Sequence, residues 1–328
     1  MKLMKRYISI VVPVYNAENT LKECLDSLIG QTYEKKRIIL IDDGSTDNSG
    51  TICDQYALKY SCVKVFHQKN KGVSAARNLG ISKTNTEYIT FVDSDDYVEK
   101  DFLIELLEGF KHNVQLSVCG YTKNTVAVHY HKNILGKIQV DKLLDTLFNN
   151  NGPQGYLWNK LFETQIIKEN DLSLDENLKM AEDMLFLVEY SLNCKDVFVF
   201  NNTEYNYVQK STGLSEKIDD RDNFYPSFED FLYVSNKIRK LVIKDYPRLN
   251  KNYSAHVALV CGSFIRRILM KNKLSYNDKK KIKKLQKIGL SNQRSMIENS
   301  YPSFIQRVLF FVTVYLPYLL RTTMKVYE

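Results

Sequence analysis

"YISIVVPVYNAENTLKECLDSLIG", Tyr7–Gly30, opens as a short β-branched run, turns polar, and then becomes apolar again at helical spacing. The first part is apolar almost throughout, as in a strand buried on both faces. Leu21, Cys24, Leu25 and Leu28 then recur three and four residues apart, with Thr20 and Glu23 set as a capping box and Gly30 as a stop. The same unit repeats: "RIILID" leads into "STDNSGTICDQYALKY", "VKVFH" into "GVSAARNLGISK", and "EYITFV" into "KDFLIELLEGF". Strands alternating with helices through residue 112 imply an α/β fold with a mostly parallel sheet flanked by helices.

Ligands of such sheets gather beyond the carboxyl ends of the strands. The polar clusters fall there: "PVYNAE" after the first strand, "DDGSTD" after the second, "QKNKG" after the third and "DSDD" after the fourth. Four polar loops on one rim make a binding cleft. Neither G-x-G-x-x-G nor G-x-x-x-x-G-K-[ST] occurs, so nothing supports a glycine-cradled dinucleotide or a P-loop. Asp93, Asp95 and Asp96 instead crowd three carboxylates into four positions, hard oxygen ligands suited to Mg²⁺ or Mn²⁺. A diphosphate beside them would be repelled by roughly 4 kcal/mol per charge pair at about 4 Å and an effective dielectric near 20, and a divalent ion reverses that sign. The cluster therefore expects a metal carrying a phosphorylated ligand. The competing reading is an acidic helix start, because a helix begins close to Lys100.

The chain has 328 residues, 44% apolar and 26% charged, and a formal net charge of +8. That suits folded domains, and the positive excess is concentrated: Lys271–Ile288 holds eight lysines and one acid. Six scattered cysteines with no C-x-x-C pair read as reduced core thiols, and five histidines show no ligand set. The basic start lacks a signal peptide's long apolar run and cleavage site, and no uninterrupted apolar run is long enough to span a bilayer. The expected location is cytoplasmic, peripheral on the inner face of the cell membrane. Beyond about residue 150 the pattern loosens. "LWNKLF" and "MAEDMLFLVEYSLNC" read as a segment folding back over the cleft, "VFVFNNTEYNYVQ" as short strands, Gln209–Lys217 as a lid, and the rest as helices. The resulting division is a catalytic domain at 1–220, split into 1–112 and 113–220, and a helical C-terminal region at 221–328.

"ISIVVPVYNAENTLKECLDSLIGQTYEKKRIILIDDGSTDNSG", "NKGVSAARNLGI" and "EYITFVDSDDYV" together resemble the family 2 glycosyltransferases, inverting enzymes of the GT-A fold. The likeness covers about the first 110 residues in motif order and spacing; "WNKLF" and "AED" extend it loosely, and the C-terminal hundred residues carry none. The resemblance implies a hexosyltransferase that moves a sugar from a UDP-sugar to a saccharide hydroxyl. It places Pro13, Tyr15, Asn16 and Glu18 around the nucleoside, and Asp43 on the uracil N–H. Asn70 and Arg77 would face the nucleotide, Asp93 the ribose or metal, and Asp95 the metal. Ser94 would share that donor-binding loop, with Asp96 supporting it or touching the sugar. Asp183 would be the base, oriented by Glu182, at the N-terminus of an apolar helix, where the dipole lowers a carboxylate pKa and phosphate charge raises it again.

The lysine run and the thirteen-residue apolar stretch Val308–Leu320, flanked by Arg307 and Arg321, fit a helix lying in a membrane interface. The alternative is a helix packed on its own domain or on a second subunit, which leaves a homo-oligomer open. Lysines without interleaved aromatics argue against nucleic acid. A membrane surface would suit a lipid-linked acceptor in capsule, teichoic acid or other cell-surface polysaccharide synthesis. Two other functions stay open: a sugar-phosphate nucleotidyltransferase, although "PVYNAENT" lacks its glycine- and Arg/Lys-rich triphosphate loop, and a catalytically silent carbohydrate-binding protein of the same fold.

Overall fold

The computed structural model describes residues 6–148, 152–208, 224–271, 273–299 and 302–326. The chain divides into two compact units, Met1–Lys210 and Ser211–Glu328. The first begins as its sequence implies, with β1 (Ile8–Val14), α1 (Leu21–Ile29), β2 (Lys36–Asp42), α2 (Ser49–Lys59), β3 (Val63–His67), α3 (Val73–Lys83) and β4 (Tyr88–Phe91). β1 pairs in parallel with β2 and β4, and β2 in parallel with β3. All seven β1 residues are buried, and so are Leu21, Cys24, Leu25 and Leu28 of α1. Pro13 falls at the carboxyl end of β1, where β4 has already ended, so its missing N–H interrupts little of the ladder.

The expected capping box at Thr20 does not form. The chain enters α1 through a turn in which the Ala17 carbonyl accepts from Leu21 N–H (2.9 Å) and the Thr20 hydroxyl (3.3 Å), drawing that hydroxyl away from the helix. Gly30 does end α1.

Past β4 the sheet changes character. It continues through β5 (Tyr97–Val98), α4 (Phe102–Gly109), β6 (Leu116–Lys123), β7 (Val126–Val128), β8 (Gly136–Gln139), α5 (Val140–Thr146), β9 (Lys160–Glu163), α6 (Thr164–Glu169), α7 (Glu182–Ser191) and β10 (Asp196–Tyr207). The strand order is β3-β2-β1-β4-β9-β6-β10-β5, with β7 on β6 and β8 on β10. "WNKLF" does not cover the cleft. It supplies β9, which runs antiparallel between β4 and β6 in the middle of the sheet. "VFVFNNTEYNY" lies, with Asp196 before it, in one twelve-residue strand rather than several short ones, parallel to β6 with register shifts near Val199, Thr203 and Tyr205. The sheet is thus parallel from β1 to β4 and mixed beyond. Five of the six cysteines are buried, Cys62 is half-buried, and all are free.

The second unit is helical: α8 (Phe224–Asp245), α9 (Asn250–Leu269), α10 (Tyr276–Ser291), α11 (Gln293–Glu298), α12 (Phe304–Tyr315) and α13 (Pro317–Val326). Ser275 and Asp278 form a true capping box at the start of α10. Among the described residues no helix is long and apolar enough to cross a membrane. The proposed lid at 209–217 lies outside the described residues.

Candidate active site

The rim loops are tied to one another mainly by their own polar side chains. Asn16 adopts a left-handed conformation (φ 49°) after β1, and its Oδ1 accepts from Thr46 N–H at 2.8 Å. Glu18 accepts through Oε2 from the Asn48 backbone (3.0 Å) and side chain (2.9 Å). Tyr15 stays exposed beside them. Asp43, expected to read a base, is buried and committed to the next loop. Its oxygens accept from Gln68 Nε2 (2.7 Å), Lys71 N–H (2.9 Å) and Gly72 N–H (2.8 Å). Gly44 makes that closeness possible: at φ +72° a Cβ would lie 2.7 Å from the Asn70 backbone nitrogen. Asn70 itself is exposed.

After β4, the "DSDD" loop splits into an inner and an outer half. Asp96 is 2% exposed, with Oδ2 accepting from Tyr205 Oη (2.6 Å) and Oδ1 from Val208 N–H (2.8 Å). Burial first, then repulsion from Asp93, pushes its carboxyl up to about 8. Both of its oxygens are engaged in holding the loop to β10 and the residue after it. Tyr205 extends the same tie, because Asp93 N–H donates to its hydroxyl at 3.2 Å. Asp93 and Ser94 are half-buried, and Asp95 is exposed.

Arg77 connects this loop to the far side of the site. The resemblance sets it toward the nucleotide, countering carboxylate or phosphate charge. Its buried guanidinium donates to Asp93 Oδ1 (2.8 Å) and Asp183 Oδ1 (2.7 Å), and lies 3.9 Å from Glu182. Burial works to lower its pKa, but Asp183, Asp93 and Glu182 more than offset that and keep it charged. Its Nε is buried without a partner, as though the side chain were held for its two terminal nitrogens. α7 brings the acids here. Ala181, immediately before it, takes a left-handed conformation (φ 65°), a strained choice for alanine that turns Glu182 and Asp183 into the site. Burial pushes the Asp183 carboxyl up to about 7 against the pull of Arg77, with Glu182 and Asp93 adding repulsion.

Residues that carried no role in the sequence build the next wall. Lys160 on β9 is fully buried. It donates to the carbonyls of Pro153 (3.3 Å) and Tyr156 (2.6 Å) and to Asn159 Oδ1 (2.8 Å), and burial lowers its pKa to about 7. It thereby anchors the turn carrying Tyr156 and Trp158. Trp158 stacks on Tyr205 at 4.3 Å and on Tyr156 at 4.8 Å, with planes within 20°. Tyr156 is 41% exposed and close enough to Asp183 to feel its charge. An aromatic face beside a carboxylate suits the apolar face of a sugar ring. The "WNKLF" motif marked this region, but a lysine in an apolar run gave no sign of being buried.

Among the described residues no three His, Cys, Asp or Glu side chains converge as a ready-made metal cage. Asp93 and the exposed Asp95 still fit Mg²⁺ or Mn²⁺, since such ions take one or two carboxylates and leave other positions to water and substrate phosphates.

Residues 9–169 match the family described as Glycosyl transferase family 2. A poly(ribitol-phosphate) beta-glucosyltransferase of Bacillus spizizenii is 36% identical over 237 residues, 69% of this chain and 36% of that protein. The uncharacterized glycosyltransferase EpsJ of Bacillus subtilis is 34% identical over 222 residues, 64% of this chain and 63% of that one. The chain thus spans between about a third and just under two thirds of these relatives' lengths. In fold it is similar to S. aureus TarS 1–349, with a TM-score of 0.69 at 22% identity over 98% of this chain and 91% of that one. The same protein in complex with UDP-GlcNAc superposes with a TM-score of 0.70. The architecture is the GT-A fold.

Proposed function

Residues 9–169 belong to glycosyl transferase family 2, and from that premise we propose that the chain transfers a sugar from a UDP-sugar to a saccharide hydroxyl with inversion. One observation carries the reading: Arg77 holds Asp93, at the donor rim, and Asp183, on the opposite wall, within 2.8 Å of one guanidinium. A transferase needs such an arrangement, with a leaving diphosphate on one side of the anomeric carbon and a base on the other. The UDP-GlcNAc complex of the structural neighbour TarS is consistent with the donor class.

In this mechanism residues 1–220 are the catalytic domain, which takes in the whole first unit, with 1–112 its donor half and 113–220 its acceptor half. Tyr15, Asn16, Glu18 and Asn70 line the nucleoside side, with Pro13 and Asp43 supporting them. Asp95 and Asp93 would hold a divalent ion, which supplies charge neutralisation at the diphosphate. Asp183 takes the acceptor proton as the acceptor oxygen bonds to the anomeric carbon; the bond to the diphosphate oxygen breaks, and UDP leaves with the electron pair. An α-linked donor thus yields a β-linkage. A carboxyl titrating near 7 is well matched to this work, since an efficient base has a pKa near the operating pH. Tyr156 carries the acceptor ring. We assign the acceptor to cell-surface polysaccharide synthesis, lipid-linked, with the enzyme peripheral at the inner face of the membrane.

Asp183→Asn should lose turnover by at least about a hundredfold while UDP-sugar affinity stays within about threefold. Metal-dependent UDP release from a UDP-sugar is the assay. Wild-type turnover by the variant, or pyrophosphate release from UTP, would overturn the assignment.

A further inference from the structure

The second unit carries a surface that the transfer chemistry does not use. α12 packs one face inward. Phe310, Thr313 and Val314 are buried, a Cβ on Gly289 would lie 3.3 Å from the Phe310 ring, and Gln286 Nε2 donates to the Val314 carbonyl at 2.7 Å. The opposite face is apolar and turned to solvent. Phe304 (78% exposed), Ile305 (75%), Val308, Tyr315, Leu316 and Leu319 recur at helical spacing along α12 and into α13. No charged residue lies between Arg307 and Arg321. Soluble chains rarely leave so long an apolar strip open without a use for it.

A cationic groove continues from this strip. It encloses about 740 Å³ and is lined by Lys273, Lys279, Lys280, Lys283, Arg321 and Tyr318. Tyr318 and Leu319 are adjacent on α13, so groove and strip share one edge. Among the described residues none of the four lysines has a carboxylate within ion-pair distance. Arg321 is held by the carbonyls of Leu269 (3.2 Å) and Lys271 (3.0 Å), which fixes α13 against the end of α9. The whole second unit has 22 Lys and Arg against 10 Asp and Glu, whereas the first has 24 against 28.

We propose that α12 and α13 dock on an anionic membrane, the apolar strip entering the acyl boundary while the groove at Lys273–Lys283 takes phosphate headgroups. Charge complementarity selects this occupant. A two-fold contact between copies through the same face would bring two strongly cationic units together, and like charges repel. A bilayer with anionic lipids satisfies both halves at once, because apolar side chains and nearby lysines add as independent contributions to interfacial binding. The proposal deepens the membrane-linked reading of the acceptor and rests on it for its purpose only, since docking is measured without donor or acceptor.

The test is sedimentation of the full chain with phosphatidylcholine vesicles, with and without phosphatidylglycerol. Retention on the anionic vesicles that survives moderate salt is expected. Lys279→Glu with Lys280→Glu and Lys283→Glu should weaken it roughly a hundredfold, given about fivefold per basic residue near an anionic surface. Leu316→Asp with Leu319→Asp should remove the salt-resistant part. Both sets of positions are on the surface, so unchanged thermal melts and unchanged UDP release with a soluble acceptor separate this result from a failure of folding or of the transferase reading. A wild-type chain that stays in the supernatant with anionic vesicles would overturn the proposal. So would a dimer, seen by sedimentation equilibrium, that the Leu316 and Leu319 changes split while vesicle binding is absent.

Discussion

Arg77→Met removes the cation between the two walls of the site while keeping most of the side-chain volume. The guanidinium lies 2.7 Å from Asp183 and 2.8 Å from Asp93, with its side chain 5% exposed. At an effective dielectric near 20, a charge pair about 4 Å apart is worth roughly 4 kcal/mol. Asp183 is itself 21% exposed, so water screens part of that and about half is a fair figure. Two kcal/mol corresponds to about 1.5 pKa units. Removing the cation takes away the main influence holding the Asp183 pKa down, so the carboxyl, about 7 in the intact protein, would titrate at roughly 8.5 in the variant. A base works only when deprotonated, so in wild type kcat/KM should rise with pH through a limb near 7. The variant should lose roughly fifteenfold at pH 7 through protonation alone, approach about thirtyfold near pH 6, and recover much of it at alkaline pH. The fold should weaken too, by about 3 kcal/mol, because buried carboxylates lose their counter-charge. A pH–rate series with urea melts at each pH measures both effects. Arg77→Lys should restore part of the limb's position, with charge returned but the two-pronged geometry lost. A variant limb that stays at 7, in a protein shown to be destabilised, would refute the coupling of Arg77 to the base.

Gly44→Ala should destabilise by about 3 kcal/mol, combining left-handed strain with the encounter at the Asn70 backbone, and should weaken UDP binding; equilibrium unfolding with UDP titration reports it. Tyr156→Ala should raise the acceptor KM about fivefold with little change in the donor KM, as loss of roughly 1 kcal/mol of stacking requires. Chelation should abolish UDP release, with Mn²⁺ or Mg²⁺ restoring it in wild type and not in Asp95→Asn; activity indifferent to chelator would remove the metal from the scheme.

Much of the first unit could be read from local pattern. Burial on both faces makes a strand uniformly apolar, a helix repeats every three to four residues, and turn chemistry punctuates both. Residues 7–91 therefore announced β1 to β4, their helices and the acidic rim. "AED" likewise announced a helix start, which α7 supplies. The loosening after residue 150 was real at the level of pattern, yet it concealed a central strand. "WNKLF" runs into β9 and supplies its three buried residues, whose strand's sheet neighbours lie some 40 to 75 positions away.

What the sequence by itself determined was which groups must be satisfied; tertiary structure decided by whom. Asp43 and Asp96 had to find donors, and they found the Lys71 and Gly72 amides, Tyr205 and Val208. Arg77 had to find carboxylates, and one of them stands 106 residues along the chain on α7. The Val308–Leu320 stretch was plainly apolar, but only packing against α9 and α10 chose which face is buried and which meets the solvent. The reason is physical. Period and turn preference act over a few residues, whereas burial, a buried charge's partner and the pKa that follows depend on the dielectric and geometry that distant segments create when they pack.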